Sequence, residues 1–64
     1  MQVENISSNS RFIGKIISSD DGKMKQLFDA HGKFLGKYNA GNTYDASGHQ
    51  IATNSDQLLR LLND

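Results

Sequence analysis

The chain repeats itself. Leu27-Phe28-Asp29-Ala30-His31-Gly32-Lys33-Phe34-Leu35-Gly36-Lys37-Tyr38 lies over Thr43-Tyr44-Asp45-Ala46-Ser47-Gly48-His49-Gln50-Ile51-Ala52-Thr53-Asn54 at an offset of 16, with aromatic, Asp, Ala, Gly and aliphatic residues in matching slots. Arg11-Phe12-Ile13-Gly14-Lys15-Ile16 matches Lys33-Phe34-Leu35-Gly36-Lys37-Tyr38 at an offset of 22. Extended backwards, Ile6-Ser7-Ser8-Asn9-Ser10 supplies a degenerate first copy, with Asn9 and Ser10 standing where the others carry His31-Gly32 and Ser47-Gly48. The six extra residues between the first two copies fall at Ser18-Ser19-Asp20-Asp21-Gly22-Lys23, a loop composition. Repetition at this scale restricts the chain to one small supersecondary unit used several times.

That unit reads as a β-hairpin. Asp at the start of a four-residue turn can bond the backbone ahead of it, and Gly at its end supplies a positive φ. Alternating apolar and polar segments flank these turns. Asp21-Gly22 reads as a further tight turn of the type I′ kind, and Asn39-Ala40-Gly41-Asn42 as another. Turns about every eight to twelve residues favour an all-β meander over a βαβ plan. The expected fold is mainly β: five or six short antiparallel strands in three degenerate hairpin repeats, units 6–26, 27–42 and 43–53 of a single domain spanning 1–64.

After residue 54 the pattern changes. Asn54-Ser55-Asp56 offers helix N-caps, and Leu58, Leu61 and Leu62 share one stripe at i, i+3, i+4 with Leu59 beside it. The spacing predicts an α-helix over 55–63, too short to persist unless its leucines dock on the sheet or on another chain.

Strict alternation along the repeated strands puts Phe12, Gly14 and Ile16 on one face, with Phe34, Gly36 and Tyr38 in the second copy. Arg11, Ile13 and Lys15, with Lys33, Leu35 and Lys37, fall on the other. A glycine between large strand residues signals a bulge, a bend or close approach of another segment. The third copy has Gln50, Ala52 and Thr53 in the aromatic, Gly and Lys slots, which suits an edge or a position beside the helix.

Composition narrows the function. At 64 residues the chain sits where one core is marginal, and without cysteine it has neither disulfide nor thiolate metal site to reinforce it. A second subunit is the expected reinforcement, which makes Leu58, Leu59, Leu61, Leu62, Phe12, Phe34 and Tyr38 the candidate oligomer or partner contacts. Seven basic and seven acidic residues give zero formal charge, against the basic excess of a nonspecific nucleic-acid or membrane coat. Arg11, Lys15, Lys33 and Lys37 are the candidate polyanion contacts, if the repeated basic slots form a ladder for phosphates. The competing reading, preferred because the aromatics alternate onto the opposite face, is a solvated surface whose lysines guard strand edges. Stacking of a single strand would need exposed aromatics among the cations.

No catalytic constellation is present. His31 and His49 lie 18 residues apart in different repeat slots, with no His-x₃-His spacing and no cysteine, so no metal or cofactor is expected. The serines sit in turn-rich stretches without a Gly-x-Ser-x-Gly elbow, the recurring Asp residues have a sufficient role in turns, and no Gly-rich phosphate loop leads into a helix. Asn5-Ile6-Ser7 matches a glycosylation triplet, but no apolar leader or membrane-spanning run accompanies it, and the expected location is cytoplasmic.

The repeated units Phe12-Ile13-Gly14-Lys15-Ile16, Leu27 to Tyr38 and Tyr44 to Ile51 resemble the short repeats of the bacterial "4-fold beta flower" proteins, over about residues 11 to 53. The resemblance implies short hairpins set around a pseudo-symmetry axis and implies no activity. Three units rather than four, a divergent third strand and the leucine segment depart from that pattern and point to completion by a second subunit. The expected function is therefore a small non-enzymatic protein-interaction module and homo-oligomer, an inhibitor or accessory factor of bacterial or phage origin. Nucleic-acid or polyanion binding through the basic ladder is the alternative.

Overall fold

The computed structural model describes residues 1–62. Its strands are β1 (Gln2–Ser8), β2 (Arg11–Ser18), β3 (Met24–Asp29), β4 (Phe34–Asn39), β5 (Asn42–Asp45) and β6 (Gln50–Ala52). They form one antiparallel meander in chain order, with β1 and β6 at the two edges. Among the described residues no helix is long and apolar enough to cross a membrane.

The turns follow the repeat. Asp29 Oδ1 accepts bonds from the backbone N–H groups of His31 (2.8 Å) and Lys33 (2.9 Å), and Asp45 Oδ1 accepts from Ser47 and His49 (both 2.9 Å). Gly32 and Gly48 close these turns at φ 85° and 91°. The first hairpin differs: Ser8 pairs with Arg11 directly, leaving a two-residue turn in which Asn9 and Ser10 both have positive φ. That turn is of the I′ type and one residue shorter than its counterparts. Ala40-Gly41 makes a second turn of this type. Asp21-Gly22 does not, since only Gly22 has positive φ. Asp21 Oδ1 instead accepts from Ser19 Oγ and Lys23 N, and these bonds hold its carboxyl below the ordinary 3.8.

A bulge recurs at one repeat slot. Gly14 faces Ile6 while Phe12 faces Ser7; Gly36 faces Leu27 while Phe34 faces Phe28; Ala52 faces Thr43 while Gln50 faces Tyr44. Ile13, Leu35 and Ile51 are the extra residues. Each bulge turns the preceding residue to the opposite face from that given by alternation.

The 55–63 helix is not formed. Leu58–Leu61 makes a single 3₁₀ turn, Leu62 is already extended, and residue 63 lies outside the described residues. The segment before it is committed to the sheet. Positive φ at Asn54 reverses the chain, Ser55 N donates to Gly41 O (2.8 Å), and Thr43 Oγ1 donates to Ser55 O (2.7 Å) while accepting from Gln57 N (2.9 Å). Gln57 makes no side-chain cap and the first turn holds no acid, so too few residues remain to nucleate an α-helix.

The 3₁₀ turn covers one sheet face. Ile16, Leu27 and Leu58 are buried there, with Ile6, Leu35, Tyr38, Leu61 and Leu62 packed around them. The strand glycines make this possible. A Cβ on Gly14 would stand 2.6 Å from Phe28 O and 3.0 Å from Leu62 Cδ2, and one on Gly36 would stand 2.5 Å from Tyr44 O and collide with Leu61. The third copy tolerates Ala52 because β6 is the edge and no further strand lies against it.

Candidate functional site: a face of paired lysines and rings

The dipeptides Phe28-Asp29 and Tyr44-Asp45 show how the repeat divides its chemistry. Alternation sends Asp to the side where it organises the turn and the aromatic ring to the opposite face. On that face Phe28 lies opposite Lys15 and Tyr44 opposite Lys37. Each lysine reaches over its partner, with Nζ 5.9 Å from the Phe28 centroid and 5.5 Å from that of Tyr44. Cross-strand cation–ring pairs of this kind are attractive through the ring quadrupole.

Two rows run across the face. Val3, Ile17, Gln26, Lys37, Tyr44 and Gln50 succeed one another from β1 to β6. Asn5, Lys15, Phe28 and Phe34 form the second, closed by an edge-on contact of Phe28 with Phe34 at 5.7 Å. Phe12, opposite Ser7, extends the apolar surface and is 44% exposed. A groove of about 500 Å³ at the end of the sheet is lined from both faces, by Ile17, Gln26 and Lys37 of this one, by Lys25 and Tyr38 of the covered one, and by Asp20 of the β2–β3 loop.

This geometry corrects the expectation that the aromatics lie opposite the lysines. The bulges at Ile13 and Leu35 move Phe12 and Phe34 onto the lysine face, and only Tyr38 stays with the glycines. They also divide the four basic positions. Lys15 and Lys37 share the face with the rings, whereas Arg11 alternates with Phe12 onto the other side and Lys33 lies in the turn before β4. Phe28 and Tyr44 were missed as site residues; the signal was their position directly before the turn Asp and four residues before the turn Gly, one strand across from the lysines.

No described strand residue on this face is a carboxylate. Glu4, Asp29 and Asp45 stand opposite Ile16, Gly14 and Gly36 on the covered side, and Asp20 and Asp21 sit in the β2–β3 loop. Asp56 Oδ2 accepts from Lys25 Nζ at 2.6 Å, and this bond raises the Lys25 pKa above its ordinary value. Lys25 Nζ also lies 5.4 Å from the Tyr38 centroid, so the covered side has its own cation–ring pair, already neutralised by Asp56.

The leucines divide as well. Leu58 is 1% exposed within the chain's own core, Leu61 and Leu62 are half-buried over Gly36 and Gly14, and Leu59 is 60% exposed. His49 Nδ1 approaches Asp45 Oδ2 at 3.7 Å, and His31 donates only its backbone N–H to Asp29. Among the described residues no three His, Cys, Asp or Glu side chains converge on a common point. Comparison with known proteins finds no matching family model, no similar curated protein and no similar solved structure.

Proposed function

We propose that the chain is a non-enzymatic protein-interaction module whose lysine–aromatic face docks an acidic, partly apolar segment of a partner protein. One observation carries the reading: the face left bare by the 3₁₀ turn joins Lys15 and Lys37 to Phe12, Phe28, Phe34 and Tyr44 with no carboxylate among its described strand residues. Rings supply desolvated contact area, and the cations select charge and orientation. Two copies meeting face to face would set lysines against lysines, so this face suits an acidic partner better than itself.

A polyanion is the second reading, favoured by the interleaving of cations and rings that stacking of single-stranded nucleic acid requires. Separate titrations with an acidic leucine-containing peptide and a thymidine oligonucleotide, followed by amide NMR shifts, distinguish the two. The peptide should shift Lys15, Gln26, Phe28, Lys37 and Tyr44, and the Lys15→Glu/Lys37→Glu variant should abolish the effect. A response to the oligonucleotide alone transfers the assignment to the second reading. Silence towards both at low salt overturns the proposal.

A further inference from the structure

The two sheet edges are built differently. β6 is three residues long and holds a bulge at Ile51, so its outer rim is short and bent. β1 runs for seven residues, Gln2–Ser8, and remains regular because the extra residue of the first bulge, Ile13, belongs to β2. β1 contains no proline, lysine or arginine, and Glu4 is its only charged side chain. Short length, bulges, prolines and edge lysines are the devices that keep an outer strand from pairing. β6 uses two of them and β1 none of these four; its one charge, Glu4, stands on the covered side opposite Ile16.

We propose that β1 is a self-association edge, where a second copy pairs antiparallel about a twofold axis passing through Asn5. Asn5 is the midpoint of the strand, so this register engages the greatest length. It sets Glu4 against Ile6 and Val3 against Ser7. A register centred on Glu4 would oppose two carboxylates and one centred on Ile6 would engage a shorter segment. The axis stands perpendicular to the sheet, and residues paired across it have the same parity. The two bare faces therefore continue into each other, with the Val3 row of one copy beside that of the next. The inference rests on the edge and is independent of what the face binds.

The absence of cysteine makes the test direct. Opposed residues of antiparallel strands have Cα atoms about 4.5–5.5 Å apart, within disulfide range. Asn5→Cys should form a covalent dimer on mild oxidation, whereas Gln50→Cys on the other edge should remain uncoupled. Light scattering on the unmodified chain should give twice 7.1 kDa. Asn5→Asp, which opposes two carboxylates across the axis at an exposed position while facing Lys15 within its own chain, should give 7.1 kDa with an unchanged circular dichroism spectrum. Lys15→Glu/Lys37→Glu should leave the dimer intact, separating this edge from the face. A 7.1 kDa mass for the unmodified chain at millimolar concentration, or equal coupling of Asn5→Cys and Gln50→Cys, overturns the proposal.

Discussion

Leu61 packs directly over Gly36, and the absence of a side chain at residue 36 is what lets the 3₁₀ turn close on the sheet. Leu62 and Gly14 repeat the relationship one hairpin earlier. Gly36→Ala would press its methyl against both Leu61 and the immovable Tyr44 carbonyl, and overpacking of this kind costs about 1–3 kcal/mol. Urea denaturation should show a lower midpoint for Gly36→Ala and for Gly14→Ala. Ala52→Gly, in the same slot of the edge strand, should change stability far less than either.

Thr43 is fully buried and ties the sheet to the segment that carries the leucines. Thr43→Val preserves shape while stripping Ser55 O of its donor and Gln57 N–H of its acceptor. Leaving these partly buried groups without partners costs up to about 1–3 kcal/mol, and the loss should be visible in chemical denaturation. The Gln57 amide should also exchange with solvent faster in the variant.

Leu58 and Leu59 are adjacent and should behave oppositely. Truncating a buried leucine costs about 2–5 kcal/mol, a large fraction of the whole stability of a small domain. Leu58→Ala should therefore be largely unfolded near room temperature or melt far below the parent. Leu59→Ala removes a side chain that is already 60% exposed and should leave the melting curve nearly unchanged.

Asp29 should make stability depend on acid. The bond from Lys33 N–H is the main influence lowering its carboxyl pKa below 3.8, with His31 N–H assisting against desolvation. A group with its pKa depressed on folding binds fewer protons in the native state, so its stabilisation is present above the unfolded value. That stabilisation is lost as pH falls through the depressed folded value, starting near 3.8. NMR titration should find Asp29 and Asp21 below the ordinary carboxylate value. Asp29→Asn should flatten the acid limb of the stability profile, and an unchanged limb would exclude this role.

Much of the architecture is readable before folding because Asp29, Gly32, Asp45 and Gly48 impose local turns whose chemistry does not depend on distant contacts. The meander and the divergent edge copy at Ala52 follow from those turns. The face assignment does not, because it depends on one extra backbone residue at Ile13 and at Leu35. A bulge changes the parity of everything beyond it, and the glycine that follows announces an irregularity without stating its direction. The 3₁₀ turn was unreadable for a different reason: the stripe of Leu58, Leu61 and Leu62 satisfies helical spacing. What limits the helix is the hydroxyl of Thr43, 14 residues earlier than Gln57.

Both functional proposals presuppose the sheet that these bulges produce, and the lysine–aromatic face exists only if the bulges lie at Ile13 and Leu35. Side-chain nuclear Overhauser contacts of Phe34 test this most directly. The expected result is contact of the Phe34 ring with the Phe28 ring, with the Lys15 methylenes reaching Phe28 and no Phe34 signal to Leu61. Phe34 contacts to Leu61 or Leu58, with Leu35 turned towards Lys37, would mean that the strands alternate without a bulge and that the shared face does not form.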